Sequence, residues 1–249
     1  MATPEQSSGS DGPRHSSAAR LLGAIVSPGA TFEELARDPH FMLCIGVQAV
    51  VGAGFMLFLL RRAGAVAMAQ QAMAQSGRAQ SMDPATLQRA IAIYARFFQY
   101  MPVVALVGAV AAILLLSWII QGIANALLGH SARYKQALAL TSYAFLPEAL
   151  RTLLAMLVLA LTADPSQFNY LNPVGDNPGY FLSRASAGPF LYNLATHFSL
   201  FSLWVLVLLA IGIARLDARK RRFAGPFWAL LSLWLFYILA ASALAGLSG

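Results

Sequence analysis

Long runs of apolar residues without charge are the feature that most restricts how this chain can fold. The first run, residues 41–60, holds twenty consecutive residues without Asp, Glu, Lys or Arg. A helix of about 20 apolar residues crosses the hydrocarbon core of a bilayer, which is about 30 Å thick. The chain is 58% hydrophobic and 11% charged, whereas soluble domains are about 45–50% apolar and about 25% charged. We therefore expect an integral membrane protein.

Composition divides the chain into a tail, a surface segment and a membrane domain. Residues 1–17 are polar and rich in Ser and Gly, which is typical of a disordered tail. Residues 18–39 have helical spacing but are too short and polar to span, so we expect an interfacial amphipathic segment. Residues 40–249 form the predicted transmembrane domain. Its spans are expected at about 41–60, 102–128, 137–163, 190–214 and 227–247. The expected fold is an all-α polytopic membrane helix bundle with about five transmembrane helices and short interfacial helices.

Two local patterns predict where the short helices begin. Thr31 with Glu34 three residues later is a capping-box pattern, which predicts a helix over 32–37. Asp83 followed by Pro84 predicts an N-cap with proline at the first helical position. From there an amphipathic helix is expected to lead to the second span.

The net charge of +7 lies mostly at the ends of the apolar runs. Such charges orient membrane helices and contact anionic lipid headgroups, so we do not expect nucleic acid as a partner. The short loop 215–222 carries five basic residues and predicts a cytoplasmic N-terminus and an outside C-terminus. Arg61 and Arg62, on the outer side in this topology, argue against it. The candidate lipid or partner surface comprises Arg219, Lys220, Arg221 and Arg222, with helix orientation as their alternative role.

Two charged residues inside the third span are the sharpest candidates for a functional site. Glu148 and Arg151 are three residues apart and therefore share a helix face, next to a break expected at Pro147. A charge at the bilayer centre costs about 2.5–3.5 kcal/mol on insertion scales. The pair predicts a polar interior site for an ion, a proton or a lipid headgroup. The alternative is a structural ion pair that holds a kinked helix in the bundle.

Asn193 and His197 extend this candidate site to the start of the fourth span. They are four residues apart and are expected to face Glu148 across the bundle. The alternative role is a hydrogen bond between helices. One histidine and one amide do not make a zinc site, since catalytic zinc takes three protein ligands.

The sequence lacks several motifs that are typical of enzymes. The sequence contains no G-x-S-x-G elbow, no H-E-x-x-H, no P-loop and no dinucleotide fingerprint. Glu148 is the only acid inside a predicted span, so no pair of carboxylates faces across the bundle. We therefore expect no catalytic residues, no metal and no cofactor, and a protein that is not an enzyme.

The order of two segments resembles a known family. Residues 19–41 read ARLLGAIVSPGATFEELARDPHF, and residues 127–148 read LLGHSARYKQALALTSYAFLPE. The first combines a surface segment, Ser-Pro and a Thr-Phe-Glu helix, and the second has a Gly hinge followed by Lys-Gln, Tyr and Leu-Pro. Together they resemble the bacterial branch of the Yip-domain (Ypt/Rab-interacting protein-like) family of multi-span membrane proteins, over about residues 18–247.

The resemblance implies five helices, a cytosolic N-terminus and no known catalytic centre. Eukaryotic relatives are implicated in membrane traffic through small GTPases, which a bacterial relative would lack, so that role is not expected here. We expect a scaffold or adaptor of the bacterial cytoplasmic (inner) membrane. Its expected partners are the lipid bilayer and other membrane proteins, in an oligomeric state left open. The alternative is a transporter or channel for a small solute, an ion or a lipid, using Glu148 and Arg151.

Overall fold

The computed structural model describes residues 16–76, 78–216 and 222–247. The regular structure in these ranges is helical, without a strand. Four segments are long and apolar enough to cross a bilayer, and one pair of helices bent by 43° makes a fifth candidate. The four are Met42–Arg62, Met101–Leu127, Tyr134–Leu161 and Ala224–Leu247, and the bent pair is Arg184–His197 with Leu200–Arg215. The expected all-α membrane helix bundle with about five spans is confirmed.

The α-helices are numbered here in chain order over the described residues. They are α1 (Ser17–Val26), α2 (Pro28–Arg37), α3 (Met42–Arg62), α4 (Ala65–Gln75), α5 (Pro84–Phe98), α6 (Met101–Gly122), α7 (Tyr134–Ala144), α8 (Leu146–Leu161), α9 (Arg184–His197), α10 (Leu200–Arg215) and α11 (Ala224–Leu247). A π-helical turn, Ile123–Leu127, continues α6.

The third span is broken between α7 and α8, next to Pro147 as the sequence predicts. Proline has no backbone N–H, so it is tolerated in the first turn of a helix but not in its interior. Pro147 accordingly lies in the first turn of α8, and the Glu148 N–H donates to the Phe145 carbonyl at 3.1 Å. The break places Glu148 near the middle of the 28-residue span Tyr134–Leu161.

The fourth span differs from its expected form, a single helix over 190–214. It is divided at Phe198 and Ser199, and the Ser199 hydroxyl caps α10 by accepting from the N–H groups of Phe201 and Ser202. Gly188 adds a second irregularity inside α9, with a φ of 74° just before Pro189. A positive φ carries little penalty for glycine because it has no Cβ.

The N-terminal helices α1 and α2 form a hairpin that packs into the bundle. Phe32 and Leu35 are buried and belong to the same apolar cluster as Tyr143 of α7. The predicted helix start was wrong, because α2 begins at Pro28 instead of residue 32. Thr31 lies inside the first turn, where its hydroxyl donates to the Ser27 carbonyl at 3.2 Å.

Helices α4 and α5 form a second hairpin, which packs beside the C-terminal ends of α3 and α8. The Asp83 carboxylate caps α5 by accepting from the N–H groups of Ala85 and Thr86, both at 3.0 Å, which confirms the predicted N-cap. The loop after α8 reaches this hairpin through Tyr170, whose hydroxyl donates to the Met68 carbonyl at 3.2 Å. Burial raises the pKa of Tyr170, because a low-dielectric environment disfavours the charged phenolate.

The two largest apolar clusters among the described residues organise the packing of the bundle. The larger joins the N-terminal hairpin to α7, α8, α10 and α11, and the smaller joins α3 and α8 to the α4–α5 hairpin. Helix α6 packs mainly on α3 and α7, whereas α11 packs on α9 and α10. A cleft therefore remains between α6 and α11, and the site described next opens into it.

Candidate intramembrane site

Arg151 of α8 pairs with an acid that the sequence analysis did not select. Its Nε lies 3.1 Å from Oδ2 of Asp176, in the loop between α8 and α9. The Ser199 hydroxyl also donates to Asp176 Oδ2, and the Asp176 carbonyl accepts from the Leu200 N–H at 3.0 Å. Asp176 thus ties the third span, the loop and the start of α10 together.

A buried amide pair completes this polar cluster. The Asn177 side-chain amide donates to Asp176 Oδ1 at 3.2 Å and to the Asn172 side-chain oxygen at 2.7 Å. The Asn172 amide returns a hydrogen bond to Asn177 at 3.2 Å. Buried polar groups are expensive without partners, and these partners explain why a Pro- and Asn-rich loop can be folded against the bundle.

Glu148 is left outside that cluster. Among the described residues, Arg151 forms its salt bridge with Asp176 and not with Glu148. The Glu148 carboxylate accepts one long hydrogen bond, 3.4 Å, from the Ser202 hydroxyl of α10. The two charges predicted to act as a pair therefore have different surroundings in the described part of the chain. Arg151 is paired with a loop carboxylate, and Glu148 accepts one long hydrogen bond.

The Glu148 carboxylate lines the cleft between α6 and α11. The cleft has a volume of about 510 Å³ and is walled mainly by apolar side chains. Its floor is buried, and includes Ile120, Leu206 and Leu230, while its rim is exposed, and includes Ile119 and Tyr237. Since the rim lies on the sides of membrane-spanning helices, the cleft opens laterally, toward the bilayer.

Asn193 and His197 lie against α11 and form no hydrogen bond with Glu148. The Asn193 side-chain oxygen accepts from the Ser242 hydroxyl at 3.4 Å, and His197 Nδ1 lies 2.8 Å from the Asn193 carbonyl oxygen. The His197 ring packs edge-on against Tyr237, with centroids 5.9 Å apart. Tyr237 also lines the cleft, so this residue contacts His197 and also borders the cavity that Glu148 lines.

The predicted basic surface can be placed only in part. Arg219, Lys220 and Arg221 lie outside the described residues, and Arg222 is exposed just before α11. At the same end of the bundle, Arg215 NH1 lies 3.9 Å from Glu33 Oε2 of α2. The N-terminal hairpin and the C-terminal end of α10 are therefore neighbours.

A buried arginine in that hairpin was also missed by the sequence analysis. Arg20 of α1 is only 4% exposed, and its guanidinium lies 2.8 Å from Glu34 and 3.3 Å from Asp38. Glu34 and Asp38 are four residues apart, with Asp38 directly after α2, a spacing that places two helical residues on one face. That spacing was a usable signal for a basic partner, but it could not identify which arginine.

No group of three or more His, Cys, Asp or Glu side chains suited to a metal ion occurs within the described ranges. What the site offers instead is one carboxylate with spare hydrogen-bonding capacity, at mid-span, beside aromatic rings and an apolar wall. Such an arrangement can bind a cation or a hydrogen-bond donor.

These features define a polytopic α-helical membrane protein with a docked N-terminal hairpin and a kinked, charge-bearing third span. Residues 22–243 match the model of the Yip1 domain family. The chain belongs to this family, as its two sequence segments indicated. Neither the curated proteins nor the solved structures gave a match.

Proposed function

We propose that this protein is a non-enzymatic scaffold or adaptor that binds other membrane proteins or lipids within the bacterial cytoplasmic membrane. The observation that carries the proposal is an outward-facing strip of small residues on α3. Gly46 is exposed and Gly54 partly so, and a Cβ placed on either would meet nothing within 4 Å. Val50, 66% exposed, lies between them on the same face.

A strip of this kind suits a partner helix. Helix association in membranes depends on close backbone approach, and small residues permit that approach. Gly46 and Gly54 are eight residues apart, so they lie on one face of α3 with the exposed Val50 between them, and each offers a point of close approach. Ala49, by contrast, is buried within the bundle. The outward face is therefore free for a helix from another protein.

The second proposed contact surface is the inner end of the bundle. The N-terminal hairpin lies there beside Arg215, the last residue of α10, which supports placing this end of the bundle on the cytoplasmic side, with the C-terminus outside. Clusters of Lys and Arg beside membrane helices attract anionic headgroups by about 1 kcal/mol per residue. Arg219, Lys220, Arg221 and Arg222 would supply that attraction.

In-cell crosslinking of the tagged protein followed by mass spectrometry tests the scaffold role, beside an unrelated five-span control. We expect a stoichiometric membrane-protein partner that the control does not capture. Gly46→Leu and Gly54→Leu should reduce its capture, because the larger side chains keep a partner helix away. Gly108→Leu is the matched control, since Gly108 is equally unobstructed on α6. Recovery of only the protein itself, or equal capture by all variants, would contradict the proposal.

The basic surface has its own test. Replacing Arg219, Lys220, Arg221 and Arg222 with glutamine should weaken partner or lipid binding more than Glu148→Gln does. Equal binding by the two variants would show that the contact surface is misplaced.

A second candidate function is transport of a small solute, an ion or a lipid. The observation that favours it is a mid-span carboxylate, Glu148, in a cleft that reaches the bilayer. Because Arg151 is held by Asp176, the path would rely on Glu148 itself. Glu148→Gln should then abolish flux in proteoliposomes while the protein stays folded and inserted, and an unchanged rate would remove this candidate.

A further inference from the structure

We propose that the cleft between α6 and α11 binds a single-chain amphiphile with a cationic ammonium head, held by the Glu148 carboxylate. This inference does not depend on the scaffold role. It rests on the charge of Glu148, on the aromatic rings beside it and on the lateral opening of the cleft.

Charge complementarity identifies the head of the ligand. Among the described residues, Glu148 carries the only carboxylate that lines the cleft, and the Ser202 hydroxyl donates a hydrogen bond of 3.4 Å to it. The nearby Arg151 is engaged by Asp176 at 3.1 Å. A carboxylate at mid-bilayer is costly without a close ionic partner, and a cationic head would supply one beside the 3.4 Å hydrogen bond from Ser202.

The aromatic rings that line the cleft favour an ammonium group as the head of the ligand. Trp234 and Tyr237, both on α11, line the cleft together with Glu148. Ammonium groups bind the faces of Trp and Tyr rings by about 0.5–2 kcal/mol, and quaternary ammonium ligands are recognised in this way. Because the carboxylate and the two aromatic side chains line the same cleft, a cation bound there can use both kinds of attraction.

The cleft also determines the shape and source of the ligand. Its volume of about 510 Å³ lies within the usual range for ligand sites, about 300–1,000 Å³, and its walls suit one alkyl chain. Glu148 is near mid-span, whereas a bilayer phospholipid keeps its headgroup about 15 Å from the centre. A single-chain ammonium compound has no second acyl chain to accommodate, so it can enter the laterally open cleft, and pairing with Glu148 offsets the cost of placing its charge at that depth.

Equilibrium binding of radiolabelled dodecyltrimethylammonium to the full chain in phosphatidylcholine nanodiscs tests the proposal, with empty nanodiscs subtracted. We expect saturable binding that dodecanol, which has the same chain without the charge, displaces at least tenfold less well. Glu148→Gln should raise Kd about tenfold or more, equivalent to about 1.4 kcal/mol. Glu33→Gln is the matched control, because it removes an acid remote from the cleft, and its Kd should not change.

A second variant protects the test against a folding defect. Leu233→Trp enlarges a rim side chain that is 43% exposed, so it should fill the cleft without disturbing the bundle, and it should also raise Kd. No saturable binding above empty nanodiscs would overturn the proposal. Equal competition by dodecanol, or an unchanged Kd in folded Glu148→Gln or Leu233→Trp, would overturn it as well.

Discussion

Arg151 Nε lies 3.1 Å from Asp176 Oδ2, which joins the middle of the third span to a loop 25 residues further along the chain. The contact explains how a guanidinium is tolerated within a membrane span. It also leaves Glu148, one helical turn away, free to face the cleft. Because Asp176 pairs with Arg151, Arg151 has a structural role, and Glu148 remains the candidate ligand-binding residue.

We expect Asp176→Asn to destabilise the protein by about 3–5 kcal/mol, the usual cost of removing one partner from a buried ion pair. Reversible unfolding in mixed detergent micelles measures this change. Asp164→Asn is the control, because Asp164 is an exposed loop residue and its loss should have little effect. In a double-mutant cycle, Arg151→Met with Asp176→Asn should cost less than the sum of the single changes. Additive costs would show that the two residues are not coupled.

The N-terminal hairpin should open when its buried arginine is replaced. Arg20→Met removes the ion pairs that join α1 to Glu34 at 2.8 Å and to Asp38 at 3.3 Å, so proteolysis within α1 and α2 should be faster than in the parent protein. Arg37→Met is the control, since Arg37 is 75% exposed and its ion pair with Glu33 is an i,i+4 surface contact. Such exposed pairs contribute little. Equal protease sensitivity of the two variants would contradict the anchoring role of Arg20.

Close packing of α7 on α10 depends on Gly212. A Cβ at this position would lie 2.6 Å from Leu140 Cγ, so Leu140 would have to move. We expect Gly212→Ala to destabilise the bundle by about 1–3 kcal/mol, as overpacking does. Gly122→Ala is the control, because nothing lies within 4 Å of its Cβ position. Thermal unfolding in detergent compares them, and equal stability of the two variants would refute the close contact.

The start of α5 should lose protection in acid. Hydrogen bonds from Thr86, and from the Ala85 N–H, lower the pKa of Asp83. Because the folded-state pKa is depressed, the cap stabilises the helix above the unfolded-state pKa of about 3.9. That stabilisation is lost as the pH falls through the lower, folded-state value. Hydrogen–deuterium exchange of α5 peptides in nanodiscs, corrected for intrinsic rates, measures the effect.

Two variants separate the charge of Asp83 from its capping geometry. Asp83→Asn can still accept hydrogen bonds from the first turn, so it should keep the helix start ordered without the pH dependence. Asp83→Ala should exchange quickly at every pH. A pH-dependent response in Asp83→Asn would show that another group is responsible.

The all-helical membrane fold could be predicted from residue order because bilayer thickness imposes it. Every backbone polar group in lipid must be paired within its own segment, so an apolar run such as 41–60 has to be helical. Pro147 and Asp83 also act through their nearest neighbours, and both local predictions are confirmed. Periodicity and capping rules operate over a few residues, which is why they succeed without knowledge of the tertiary structure.

Contacts between residues that are distant in sequence were determined only by the tertiary structure. The spacing of Glu148 and Arg151 indicated a mutual pair, but an i,i+3 spacing guarantees only a shared face, and Asp176 reaches Arg151 from the loop. Likewise, no local pattern could assign Arg20 to Glu34 or show that Asn193 and His197 lie against α11. Which charge is neutralised, and which faces a cleft, depends on how helices and loops pack against one another, and that arrangement is not encoded in any short segment of the chain.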